Sequence, residues 1–270
     1  MRNFLIVLLL SAALFLPALA LPEQAQRVWE MARSQSRWWE QAGALHPEVV
    51  PTRDGNSFFL VWRPVEHPRA WIVSLHGVGM PARGFASDDL VAWQPHLQDS
   101  QLGLICLQWW LGGERFFDPT EIDGLVQSQL SAMKVAPGQV MLHGFSRGAT
   151  QTYALAAMDA ARPHPSYALV VANAGGMSPD YPPNRALQRG DFGPQPLRST
   201  RWVTVAGFQD PNPERDGVAG MRRTGQWLTA QGGQLLLAIE DPQQGHGAFH
   251  RSRANCRQVL DLFRSLLVQP

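Results

Sequence analysis

Short apolar runs alternate with longer stretches of helical periodicity along most of this chain. Runs at 58–63, 71–75, 104–108, 139–143, 167–172, 202–206 and 235–239 are brief and rich in aliphatic and aromatic residues, and they predict buried strands. The clearest helix spans 120–135, where Ile122, Leu125, Val126, Leu130 and Met133 fall on one face. Asp118 and Pro119 stand at its start, where a cap and a first-turn proline belong. Further helices are predicted at 149–161, rich in alanine, and at 252–267, which presents Val259, Leu260, Phe263, Leu266 and Leu267. Residues 23–42, with Trp29, Trp38 and Trp39, predict an N-terminal helix packed on the body. Strands alternating with helices imply an α/β fold: a mostly parallel, twisted sheet of about seven or eight strands with helices on both faces.

The pattern gains chemical meaning at Gly144-Phe145-Ser146-Arg147-Gly148. This G-x-S-x-G lies between a predicted strand and a predicted helix, the setting of a nucleophile elbow, where a sharp turn lifts the serine hydroxyl above the sheet. A serine needs a base to take its proton and an acid to orient that base. Both candidates follow in the chain. Asp210 leaves the predicted strand 202–206, and His246 sits between two glycines in the loop after 235–239. His250 is a rival base four residues on. Asp216, Glu240 and Asp241 are nearby acids, and Asp180, after the preceding strand, is a less usual position. An oxyanion formed at the carbonyl would need fixed N–H donors. The backbone N–H groups of Arg147 and of Val78, in the loop His76-Gly77-Val78 after the strand 71–75, are the candidates.

With His76-Gly77, the elbow, Gly207-x-x-Asp210 and Gly245-His246-Gly247 in this order, the chain resembles the α/β-hydrolase superfamily. Within it the chain is similar to small single-domain esterases of the polyester-depolymerase and dienelactone-hydrolase kind. The resemblance implies hydrolysis of a small or polymeric carboxylic ester by Ser146, His246 and Asp210 through an acyl-enzyme, with no cofactor. A peptidase or acyltransferase on the same three residues is the alternative chemistry. A non-catalytic binding protein of this fold is the alternative of another class.

Residues 1–20 read as a leader. Arg2 precedes an apolar centre, and Ala18-Leu19-Ala20 forms a small-x-small cleavage site, so export to the periplasm or medium with cleavage after Ala20 is expected. The competing reading is an uncleaved anchor, although the apolar stretch is shorter than the ~20 residues a span needs. Residues 21–270 then form one domain, with no span expected once the leader is removed. A net charge of +1 offers no electrostatic case for nucleic acid. Cys106 and Cys256 read as two separately buried thiols, with a disulfide as the alternative in an oxidising compartment.

Residues 176–200 interrupt the rhythm with five prolines, Pro179, Pro182, Pro183, Pro194 and Pro196. This span reads either as a small lid or as an ordered surface excursion. Trp109 and Trp110, at the end of the strand 104–108, read either as an apolar wall for substrate or as core packing. His76 is expected to brace the oxyanion loop and His143 to be a satisfied core histidine. The histidines show no tight metal-ligand spacing, so no metal is expected.

Overall fold

The computed structural model describes residues 21–78, 85–98, 100–109, 118–247 and 249–267. The proposed leader therefore lies outside the described residues, as does Trp110. Eight strands follow the chain as β1 (Glu48–Pro51), β2 (Phe58–Trp62), β3 (Ala70–Leu75), β4 (Leu102–Gln108), β5 (Val140–Phe145), β6 (Tyr167–Asn173), β7 (Arg201–Gly207) and β8 (Gln234–Asp241). They form one sheet in the order β1-β2-β4-β3-β5-β6-β7-β8. β2 runs antiparallel to β1 and β4; every later neighbour pair is parallel. The mostly parallel α/β sheet expected from the pattern is present. β1 is the strand the apolar runs did not predict, because its four residues are exposed at both ends and carry no continuous apolar run.

Period-two alternation divides the strands between two cores. Phe58, Leu60, Ile72, Leu104 and Cys106 face the first, which α1 (Glu23–Gln35), α2 (Trp39–Ala44), α3 (Ala86–Leu97) and α8 (Arg253–Leu266) cover. Phe59, Val61, Val73, Ile105 and Leu107 face the second, under α4 (Pro119–Ala132), α5 (Arg147–Ala160) and α7 (Val218–Ala230). Each such side chain, fully buried, contributes about 1.5–3 kcal/mol of transfer free energy. Both cysteines are buried free thiols on the first face.

Two helix boundaries show local chemistry at work. Asp118 caps α4 as its position suggested, its carboxylate accepting the Thr120 N–H at 2.7 Å. The single N-terminal helix expected over 23–42 is instead two helices. Ser36 is extended (φ −77°, ψ 124°). Its hydroxyl accepts the Trp38 N–H at 3.2 Å and donates to Asp88 of α3 at 2.8 Å. A serine that satisfies the next helix start and a distant carboxylate competes with continued helix, and here it wins.

Residues 176–200 hold a short helix, α6 (Pro182–Arg189), closed by Gly190 in the left-handed region at φ 79°. Leu187 and Leu197 are buried in the second core and anchor the excursion at two points.

Candidate active site

Five parallel strands, β3, β5, β6, β7 and β8, end at one edge of the sheet, and the loops leaving them build the site. Ser146 follows β5 with φ 53° and ψ −116°, a conformation an L residue adopts only when its surroundings over-determine it. The two elbow glycines do so by allowing close approach. A Cβ on Gly144 would stand 2.4 Å from the Gly148 carbonyl oxygen, and one on Gly148 would stand 2.0 Å from that of Leu75. The Ser146 N–H donates to the Asn173 carbonyl at 2.8 Å, which ties the turn to the end of β6.

His246 brings its Nε2 to 2.9 Å from Ser146 Oγ and its Nδ1 to 2.7 Å from Asp210 Oδ2, joining residues 100 and 36 positions away in sequence. The Asp210 side chain is fully buried, whereas the imidazole keeps 28% of its exposure. The other Asp210 oxygen accepts the Asn212 N–H at 2.8 Å. The ring of His246 lies 5.1 Å from that of Phe145, and Gly247 turns the loop with φ 72°. The expected serine, histidine and aspartate thus meet in one hydrogen-bonded line.

The rival residues stand elsewhere. His250 lies in a 3-10 turn, its ring 4.6 Å from Trp93 and 5.1 Å from His143, and burial beside two other imidazoles pushes its pKa well below the ordinary value. It faces the first core rather than Ser146. Asp180 is exposed, Glu240 pairs with Arg222, and Asp241 accepts hydrogen bonds from Asn255 and Gln243. Asp216 is different: it reaches the site without touching Ser146. One ligand atom each from Asp210, Asp216 and His246 lie within 4.8 Å of one another. Among the described residues this is the one cluster with metal-ligand spacing, but its donors are engaged. Both His246 nitrogens have partners, and Arg215 holds Asp216 through Nε and a terminal nitrogen.

The loop after β3 runs beside the serine. A Cβ on Gly77 would lie 3.1 Å from Ser146 Cβ, so Val78 follows directly from the nucleophile's neighbour. His76 is buried, which lowers its pKa to about 4 and keeps it neutral. Its Nδ1–H donates to the Gly77 carbonyl at 2.8 Å. Its Nε2 then accepts from Gln108 Nε2 at 3.3 Å, and Gln108 Oε1 in turn accepts the Ala86 N–H at 3.0 Å. The bracing role expected of His76 has this basis. Arg147 is the first residue of α5, so its N–H belongs to the helix N-terminus, where partial positive charge gathers.

His143 is the satisfied core histidine expected from its strand. Its Nδ1 accepts the Trp93 indole N–H at 3.4 Å and lies 2.9 Å from Ser74 Oγ, Ser74 donates to Asp89, and Asn173 Nδ2 lies 3.4 Å from Nε2. Trp109 is wholly buried in the second core, 5.3 Å from the His76 ring, so it takes the core-packing alternative rather than forming an open substrate wall. Asp216 is not the acid on His246, as expected, but its closeness to the site went unread in the sequence. The signal available was its position six residues past Asp210 in a segment crowded with turn formers, Pro211, Asn212, Pro213 and Gly217.

No protein-family model matches the sequence, and no curated protein matches it. Solved structures do. A phospholipase/carboxylesterase from Dyadobacter fermentans superposes with a TM-score of 0.55 and 18% identity, over 76% of this chain and 95% of that one. A protein of Thermus thermophilus gives 0.62 and 18%, over 83% and 98%. A fungal esterase from Rhizomucor miehei gives 0.62 and 14%, over 88% and 90%. At these identities the likeness establishes the fold, and that fold is the α/β-hydrolase fold.

Proposed function

We propose that this α/β-hydrolase-fold chain is a serine hydrolase that cleaves a carboxylic ester, small or polymeric, through an acyl-enzyme. The observation that carries the reading is the line Ser146–His246–Asp210, with contacts of 2.9 and 2.7 Å at the carboxyl edge of the sheet. Similar structures described as esterases support the choice of ester over other acyl compounds. Ser146 Oγ attacks the carbonyl carbon while its proton passes to His246 Nε2. The carbonyl π electrons move to oxygen, and the N–H groups of Arg147 and Val78 receive that oxyanion. Collapse expels the alcohol, which takes the proton from His246. Water repeats the sequence on the acyl-enzyme and releases the acid. Asp210 keeps Nδ1 protonated and stabilises the imidazolium of each half-reaction. No step calls for a cofactor.

We further propose that the protein works outside the cytoplasm, as the leader reading implies. Labelling by a fluorophosphonate, lost in Ser146→Ala, together with turnover of a panel of p-nitrophenyl and polysaccharide esters, tests the catalytic reading. A folded protein that neither labels nor hydrolyses any ester would refute it.

A further inference from the structure

Asp216 has no part in the three-residue mechanism, yet the loop that carries it is built to bring it there. Asn212 donates its N–H to the Asp210 carboxylate at 2.8 Å. Its carbonyl accepts the N–H groups of Arg215, Asp216 and Gly217 at 3.1, 2.9 and 3.1 Å. One residue thus folds the loop back so that the second carboxylate meets the first. Gly217 permits the closeness: a Cβ there would lie 3.1 Å from Asp210 Cβ and 2.7 Å from Pro213 Cα. Asp216 is 2% exposed, and one of its oxygens comes within 4.8 Å of both an Asp210 oxygen and a His246 nitrogen.

Two buried carboxylates side by side repel each other, so a compact arrangement of this kind needs positive charge. Arg215 supplies one, holding Asp216 through Nε at 2.9 Å and a terminal nitrogen at 2.6 Å. The guanidinium also lies 5.8 Å from the Tyr181 ring, at the start of α6. Tyr153 and Thr224 face the cluster from α5 and α7, but the Tyr153 hydroxyl donates to the Gly175 carbonyl and Thr224 Oγ1 donates to that of Gly220. Neither adds charge. With Asp210 and Asp216 ionised and Arg215 protonated, the cluster carries one net negative charge while His246 is neutral. It balances only when His246 is protonated, the state reached as the serine proton is transferred. Differential stabilisation of that state is what accelerates a reaction.

We propose that Asp216 is a positioning residue for the base, a second carboxylate whose field, tempered by Arg215, favours the His246 imidazolium. This rests on the serine-hydrolase reading and names a regulator of that same site. A merely structural role for the Arg215–Asp216 pair makes removal of either partner equivalent. The electrostatic role makes the two removals opposite, because one deletes a negative charge near His246 and the other a positive one.

The test is the pH profile of kcat/KM on an activated ester. In Asp216→Asn the acid limb should move to lower pH and kcat should fall about 5–10-fold with KM little changed. In Arg215→Gln the limb should move to higher pH. Asp210→Asn/Asp216→Asn should fall a further several-fold below Asp210→Asn alone. Limbs displaced in the same direction in the two single variants, or not displaced in either, would overturn the proposal, as would a double variant equal to Asp210→Asn. If Asp216→Asn does not fold, the direction seen in Arg215→Gln decides alone. Wild-type protein that labels with fluorophosphonate while these profiles stay unmoved refutes only this inference; wild-type protein that does not label refutes the hydrolase reading beneath it.

Discussion

Gly148 lies so close to Leu75 that a Cβ on the glycine would meet the leucine carbonyl oxygen at 2.0 Å. The contact joins the first turn of α5 to the end of β3, and so joins the nucleophile to the loop that carries Val78. Backbone on both sides leaves no flexible group to give way. Gly148→Ala should cost about 2–3 kcal/mol and displace Ser146 from His246. Urea unfolding measures the first and fluorophosphonate labelling rate the second. A variant with wild-type values in both would mean that the elbow is looser than this approach requires.

Ser146 holds its strained backbone for the sake of its hydroxyl. Ser146→Ala keeps the strain and should lower kcat by at least about 10³-fold with an unchanged melting temperature. Ser146→Gly removes the strain and should be equally inactive yet more stable, by about 1 kcal/mol or more. Calorimetry of the two variants side by side checks the difference. Equal melting temperatures would show that the φ of 53° is not paid for locally.

His246 and His250 are separated by four residues and face different surroundings. The pH limb attributed to the base should vanish in His246→Ala along with nearly all turnover. His250→Phe should retain both, since its ring packs among Trp93, Phe249 and His143 and its Nε2 has no hydrogen-bond partner among the described residues. Steady-state kinetics from acid to neutral pH separates them. An inactive, folded His250→Phe would return the base assignment to its rival.

Acid stability should report two buried groups that both touch Ser74, namely Asp89 and His143. Burial lowers the His143 pKa to about 3, so between about pH 6.5 and 3 the unfolded chain binds a proton that the folded chain refuses. That contribution to stability is present above pH 6.5 and is lost on acidification. Replacing the imidazole in His143→Asn should reduce the acid slope of unfolding free energy by up to about 1.4 kcal/mol per pH unit. Asp89 works the other way. Its pKa, raised to about 7 by burial, lets the folded protein hold a proton that the unfolded chain, with the ordinary carboxylate pKa of 3.8, does not take up until lower pH. Its contribution grows as pH falls, so Asp89→Asn should steepen the acid loss. Urea titrations at several pH values test both directions.

The leader makes a separate prediction. Protein recovered from its native compartment should begin at Leu21, a residue buried in the first core. Edman or mass-spectrometric sequencing that finds the apolar segment intact would favour an anchored form.

The sequence by itself determined the elements whose causes are local. Six strands were legible because burial on both faces leaves a continuous apolar run, β8 because its run Leu235–Ile239 is apolar although this edge strand is half exposed, and α4 because its cap, proline and spacing agree. The elbow was legible because only glycine tolerates its close approaches, and Asp210 and His246 because each leaves a strand at the same edge. What the tertiary structure decided involves contacts that no window of sequence contains. β1 is a strand because it pairs with β2, its own residues being too few and too exposed to say so. The N-terminal helix breaks at Ser36 because Asp88, 52 positions away, takes its hydroxyl. His246 rather than His250 faces the serine because the loop turns at Gly247 and the following 3-10 turn carries the second imidazole into the core. Asp216 reaches the histidine because Asn212 gathers three N–H groups onto one carbonyl, a fold-back that spacing along the chain does not encode.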